Sequence, residues 1–131
     1  MSVSAGLSIV STTDSPAAIG PYSQGIVVGN LLFTAGQIPL DPVTMDVAGE
    51  DIRAQSERVM ANLDGVLRAA GSSLGHVVKT TCFLSDLNDF GTFNEVYGHW
   101  FGDHKPARST VQVAKLPKAV LVEVECVALI P

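Results

Sequence analysis

Lys105-Pro106-Ala107-Arg108-Ser109-Thr110-Val111-Gln112-Val113 is the stretch on which the reading of the fold turns. Pro106 fixes its own φ and disfavours helix at Lys105, so a helix ends before it and an extended run begins after it. From Arg108 the side chains alternate. Arg108, Thr110, Gln112 and Ala114 share one face, and Ser109, Val111 and Val113 share the other, the period of a half-buried strand. Arg108 thus opens a strand on its more polar face. A rigid backbone there can aim a planar fork of donors at a small carboxylate and hold it through two parallel hydrogen bonds. Taken alone, the segment favours a plainer reading, a strand-end arginine paired with a surface acid or with nothing. The rest of the chain shifts that balance.

Upstream, Phe90, Phe93, Tyr97 and Trp100 or Phe101 form the apolar stripe of a helix from about Asp89 to Phe101, with Asn88 as its N-cap. Asn94 falls on that stripe, and an amide among aromatics must find partners. Val77 to Leu84 reads as a β-branched strand. A longer helix, Glu50 to Ala70, carries Ile52, Ser56, Val59, Leu63, Val66 and Ala70 at three- and four-residue steps. Acids stand at its start, Gly71 at its C′ position, and Gly65 is a mild weakness inside it. Ile26-Val27-Val28 and Leu31-Leu32-Phe33 flank Gly29-Asn30, a two-residue hairpin connection. The second strand runs into Ala35-Gly36-Gln37, where a glycine inside a strand pattern marks a bulge or a close backbone approach. Leu7 to Ser11 is a first strand at an edge. The apolar loop Asp14 to Ser23 lies against something.

Downstream, Leu116-Pro117-Lys118 turns the chain into Val120 to Ile130. There Val120, Val122, Val124, Cys126, Ala128 and Ile130 alternate with Leu121, Glu123, Glu125, Val127 and Leu129. Two carboxylates on one face of an apolar strand must be exposed, paired or functional. If the last two strands pair through that turn, Arg108 lies near the far end of the final strand. The coarse order is strand, hairpin, helix, strand, helix, strand, strand. That is one domain, 1–131, of α+β class, with a mixed six-stranded sheet carrying two helices on one face and an oligomer surface on the other.

Composition narrows the function. Of 131 residues 47% are apolar and 16% charged, and the mean hydropathy is +0.32, lean in charge for a soluble monomer. Net charge is −5, with eight Lys and Arg spread along the chain, so no basic stripe tracks phosphates and nucleic acid is not the expected partner. No apolar run reaches membrane-span length and the start has no signal-peptide pattern, so a cytoplasmic protein without a membrane partner is expected. Cys82 and Cys126 sit in apolar runs with no ligand spacing and read as buried reduced thiols. P-loop, G-x-G-x-x-G, H-E-x-x-H and G-x-S-x-G motifs are all missing. His76, His99, His104 and Lys79 read as solvated side chains. Arg108 with Glu123 or Glu125 remains.

Several segments resemble the signature segments of the RidA (YjgF, reactive-intermediate deaminase) family. They are Pro16-Ala17-Ala18-Ile19-Gly20-Pro21-Tyr22-Ser23-Gln24-Gly25, Ala35-Gly36-Gln37-Ile38-Pro39, the run from Val78 to Phe90, and Pro106-Ala107-Arg108-Ser109. Leu116-Pro117-Lys118 and Val122-Glu123-Val124-Glu125 extend the match across almost the whole chain. The resemblance implies a chorismate-mutase-like α+β fold and a homotrimer with three clefts between neighbouring subunits. It implies no metal and no organic cofactor. Members of this kind hydrolyse enamine and imine intermediates such as 2-aminoacrylate and 2-iminopropanoate to 2-keto acids and ammonia, so the partner is a small imino or keto acid. Carried over by position, Arg108 grips the substrate carboxylate and Glu123 holds or activates the water. Tyr22 and Asn94 line the cleft, backbone groups at Gly36 and Thr110 complete it, and Glu125 is the less favoured acid. Three departures stand out: Ala35 where many relatives have serine, Thr110 in place of a frequent cysteine, and a short Asp103-His104-Lys105 loop. Two rival readings remain open: a non-catalytic small-carboxylate-binding or chaperone-like trimer, and the endoribonuclease or translation-inhibitor label of some relatives.

Overall fold

The computed structural model describes residues 2–4 and 6–131. Its strands are β1 (Ser2–Ser4), β2 (Leu7–Val10), β3 (Gly25–Val28), β4 (Leu31–Thr34), β5 (Val77–Leu84), β6 (Ala107–Gln112) and β7 (Val122–Leu129). Its two α-helices are α1 (Ile52–Ala69) and α2 (Phe90–Phe101). The strands form one mixed sheet in the order β1-β2-β3-β4-β7-β5-β6, with both helices on one face. The α+β class and the six strands read from the sequence are all present. The short β1 adds a further strand outside β2, so Leu7–Val10 is not the edge.

One expected pairing is corrected. β6 does not pair with β7; it lies parallel to β5 at the sheet edge, and β7 is inserted between β4 and β5. The physical reason is the α2 crossover, because a strand–helix–strand unit lays its two strands side by side in parallel. β7 is then free to take a central place. Val122, Val124, Cys126 and Ala128 are buried on one face there, and Glu123, Glu125 and Val127 point to the other.

The core lies between the sheet and the helices. Val59, Met60, Leu63, Val66 and Leu67 of α1 and Phe93 of α2 are fully buried against Leu32, Leu84 and Val122. Asp51 caps α1 by accepting from the Ala54 N–H at 2.8 Å, and Gly71 beyond its end has φ +81°. Gly65 proves to be a packing requirement. A Cβ there would come 2.9 Å from the Asp14 carbonyl oxygen and meet the Ser15 hydroxyl. The apolar loop rests on α1 at this point, with the Ser15 hydroxyl donating to the Asn62 carbonyl at 2.6 Å. Gly29 alone carries a positive φ (+59°) in the β3–β4 connection, the first central position of a type II′ hairpin turn.

The α2 cap is also corrected. A 3₁₀ turn, Leu87–Asp89, precedes the helix, and the capping oxygen belongs to Asp86, which accepts from the Asn88 N–H at 2.9 Å. His104 is not simply solvated, since its Nε2 lies 2.7 Å from the Val77 carbonyl oxygen and ties the β6 approach to the start of β5. His76 Nδ1 similarly lies 2.8 Å from the Ser73 hydroxyl. On the sheet face away from the helices, Ile26, Phe33 and Val127 form a cross-strand row, and Phe33 and Val111 stay 44% and 43% exposed. Among the described residues no helix is long and apolar enough to cross a membrane.

Candidate functional site

Arg108 leaves β6 on the helix side of the sheet, opposite Thr80 in register. Its Nη1 donates to Asn94 Oδ1 at 2.7 Å, and its guanidinium carbon sits 4.7 Å above the Tyr97 ring and 5.3 Å from the Phe90 ring. Phe90, Asn94 and Tyr97 follow at steps of four and three, so one stripe of α2 presents all three to the same group. Tyr97 is itself anchored, its hydroxyl 2.7 Å from the buried Thr80 hydroxyl. A guanidinium fixed on one side by stacking and at one donor by an amide keeps further N–H donors for a ligand. Asn94 therefore acts on Arg108 in addition to bordering, with Arg108 and Tyr97, a shallow pocket beside the start of β6.

Glu123 belongs to a second locus. It lines a pocket of about 420 Å³ with Tyr22, Gly36, Ile38, Met45 and Pro117. The close approach expected at Gly36 is made by this carboxylate. A Cβ on Gly36 would overlap Glu123 Oε2 and lie 2.8 Å from its carboxyl carbon. The adjacent Gln37 exchanges two backbone hydrogen bonds with Val124, at 2.8 and 3.1 Å, and so fixes the strand that carries the acid. Burial raises the Glu123 pKa above the usual glutamate value, and the neighbouring Glu125 adds to the rise. Glu125 shares that sheet face, but Glu123 is the acid that lines the pocket.

The six residues singled out from the sequence thus fall into two groups. Arg108, Asn94 and Thr110 gather at the β6 edge, on the helix side. Tyr22, Gly36 and Glu123 gather at the pocket. Glu123 is paired with Phe83, one step out of phase with Thr80 and Arg108, so its side chain leaves the opposite face of the sheet. Within one chain the two groups therefore stand on opposite faces of the sheet. The Thr110 hydroxyl is buried without a hydrogen-bond partner, two residues along from Arg108 and level with Cys82. Cys82 and Cys126 are free and buried, which pushes their thiols up to about 11 and about 12 and keeps both from acting as nucleophiles near neutral pH. Among the described residues no group of three His, Cys, Asp or Glu is placed to hold a metal ion.

Sequence reasoning missed Tyr97 and Phe90 as parts of the site. Their helical spacing reads as core, and their second role depends on where β6 lands beside α2. The signal that could have found them is Asn94 on the same stripe, a polar group in need of a partner.

Known proteins resemble this chain over most of its length. A family model described as Endoribonuclease L-PSP matches residues 12–130. A RutC family protein of Pyrococcus abyssi is 52% identical over 120 residues, covering 92% of this chain and 94% of that protein. The 2-iminobutanoate/2-iminopropanoate deaminase of Salmonella typhimurium is 48% identical over 122 residues, covering 91% and 94%. The crystal structure of Escherichia coli TdcF with bound serine superposes with a TM-score of 0.89 at 45% identity, covering 93% of this chain and 98% of that one.

Proposed function

The chain belongs to the RidA (YjgF) family, and from that premise we propose that it hydrolyses small 2-imino acids to 2-keto acids and ammonia, in sites assembled between copies of itself. The observation that carries the reading is the split of two finished half-sites over opposite faces of one sheet. An oriented guanidinium with donors to spare stands on one face, and a half-buried carboxylate in an apolar pocket stands on the other. A neighbouring copy reunites them. The apolar sheet face around Phe33 and Val111 gives copies a reason to associate, and a closed homotrimer is the assembly proposed.

In this reading the substrate carboxylate takes the Arg108 donors that Asn94 leaves free, which holds the C=N carbon in place. A water held by Glu123 of the adjoining copy attacks that carbon and gives a proton to the carboxylate. The proton held by Glu123 passes to the carbinolamine nitrogen, the C–N bond breaks as Glu123 takes up the hydroxyl proton, and that proton then passes to the departing ammonia. An iminium plus water becomes a ketone plus ammonium, with no redox change and no cofactor. A carboxyl whose pKa is raised by burial exchanges protons more readily near neutrality, and such general acid–base help is worth about 10²–10⁴-fold. Orientation carries much of the rest, because iminium ions already hydrolyse in water.

The test is keto-acid release from imines generated in situ by an amino-acid oxidase, read against the uncatalysed rate. Wild type accelerates release, and Arg108→Ala loses the acceleration by about 10²-fold or more. Full activity in Arg108→Ala rejects the assignment. Calorimetric binding of 2-keto acids with no acceleration on any imine turns the reading to a carboxylate-binding module. A ribonuclease reading draws on the matched family's description and on the names of similar solved structures, and the net charge of −5 counts against it.

A further inference from the structure

Glu125 is the acid that the proposed reaction leaves unused. It projects from the central strand β7 onto the sheet face away from the helices, level with Thr81 of β5. The side chain is half-buried and, among the described residues, has no hydrogen-bond or ion-pair partner. Within the chain its charge acts against Glu123, which has the same sign. The same face carries a single strand-borne cation. Of the eight Lys and Arg only Lys79 and Arg108 stand on strands, and Arg108 leaves the opposite face. Lys79 Nζ donates to the Ser109 hydroxyl on the outer strand β6 at 3.0 Å. That neutral partner uses one of the three ammonium protons and leaves two. The ammonium thus turns away from β7, and no ion pair within the chain joins Lys79 to Glu125.

The surroundings make this separation consequential. Phe33, Phe83, Val111 and Val127 share the face with these two charges. When such a face is covered, its water leaves, and an ammonium or a carboxylate buried without a partner is strongly destabilising. An acidic or a basic partner would neutralise one of the two and strand the other. A second copy of the chain brings one of each, so the face is complementary in charge to itself. The cation leans to the sheet edge and the acid stands nearer its centre. The edge of one copy must therefore lie over the centre of the next, a head-to-tail contact that repeats until the ring closes. The displacement from β6 to β7 is the same one that the reaction asks of Arg108 and Glu123.

We infer that Lys79 of each copy pairs with Glu125 of the next, and that this pair sets the register in which copies meet. The inference rests on the reading that copies associate through this face, and it adds the contact that orients them. Sedimentation at stepped protein concentration reads association, and circular dichroism checks that each variant is folded. Lys79→Glu and Glu125→Lys each set like charges against one another, and each weakens association by about 10²-fold or more. The double reversal, Lys79→Glu with Glu125→Lys, regains it. Wild type and the double reversal, one of them carrying an affinity tag, are then unfolded and refolded together in equal amounts. Between unlike copies cation meets cation and acid meets acid, so the two kinds sort into separate assemblies. Free mixing, which in a closed trimer puts both kinds into about three quarters of the assemblies, places the pair within each chain and overturns the inference. Full association in either single reversal overturns it as well. Should a reversal fail to fold, Lys79→Met and Glu125→Gln carry the same test: each alone weakens association, and the two together recover it. Unchanged association in each neutral variant overturns the pair. A wild type that stays monomeric at every concentration overturns the assembly reading itself.

Discussion

Gly36→Ala probes the Glu123 half-site without touching a charged group. The added Cβ would overlap Glu123 Oε2, with the carboxyl carbon at 2.8 Å and Cγ at 3.1 Å. Ordinary van der Waals contact begins near 3.4 Å, so the carboxylate must retreat by on the order of 1 Å, and a displacement of that size can cost about 10²-fold in rate. The obstacle is the far end of a side chain rather than backbone, so the fold absorbs the change at a cost of about 1–2 kcal/mol or less. The assay is imine hydrolysis on Gly36→Ala, Glu123→Ala and the double variant, with thermal unfolding in parallel. Gly36→Ala is expected to fall by about 10²-fold, and the double variant to be no worse than Glu123→Ala alone, because the two act through one group. Wild-type activity in Gly36→Ala, or losses that simply add in the double variant, would refute the claim that Gly36 exists to seat Glu123.

Two further predictions concern the supports of the site. Tyr97→Leu removes the ring beneath Arg108 and raises KM about 10-fold with less change in kcat. Tyr97→Phe keeps the stack, so its KM stays near wild type. It also leaves the buried Thr80 hydroxyl with only the weak Cys82 thiol donor at 3.9 Å, which lowers stability by about 1–2 kcal/mol in chemical denaturation. The second concerns pH. Burial, then Glu125, raises the Glu123 pKa above the ordinary value of 4.5. The folded state therefore binds the proton more tightly than the unfolded one. Its contribution to stability is full below the ordinary value and is lost as pH rises through the raised one. Denaturation of Glu123→Gln and wild type at stepped pH should show the variant gaining on wild type from about pH 4.5 upward. A constant difference across that range would contradict the raised pKa.

Local chemistry made much of this fold legible. Gly29-Asn30 between two apolar triplets announced a hairpin, and the α1 stripe from Ile52 to Ala70 announced a helix one face of which is buried. Pro106 marked the start of β6 to within a residue. Strand partners were not legible, because pairing is decided by where distant segments meet. β7 reads equally well as a neighbour of β6 or as a central strand, and only the α2 crossover decides between them. The same non-locality hid Tyr97, whose spacing matches that of any core aromatic, and the His104 bond to Val77, which joins residues far apart in the chain. Glu123 and Glu125 alternate in step and are indistinguishable by pattern. The resemblance separated them, and the pocket places Glu123 in its wall. Gly65 was misjudged as a weakness because the loop that lies across it is distant in sequence.

The central claim is that Arg108 and Glu123 act on one substrate from different copies of the chain. Complementation tests it most directly: Arg108→Ala and Glu123→Ala, each inactive alone, are unfolded together in equal amounts, refolded and assayed for imine hydrolysis. Random assembly gives roughly a quarter of the interfaces an intact arginine from one copy and an intact glutamate from its neighbour, so roughly a quarter of wild-type activity should return. If both groups served a site within one chain, the mixture would stay as inactive as its parts, and that result would contradict the account.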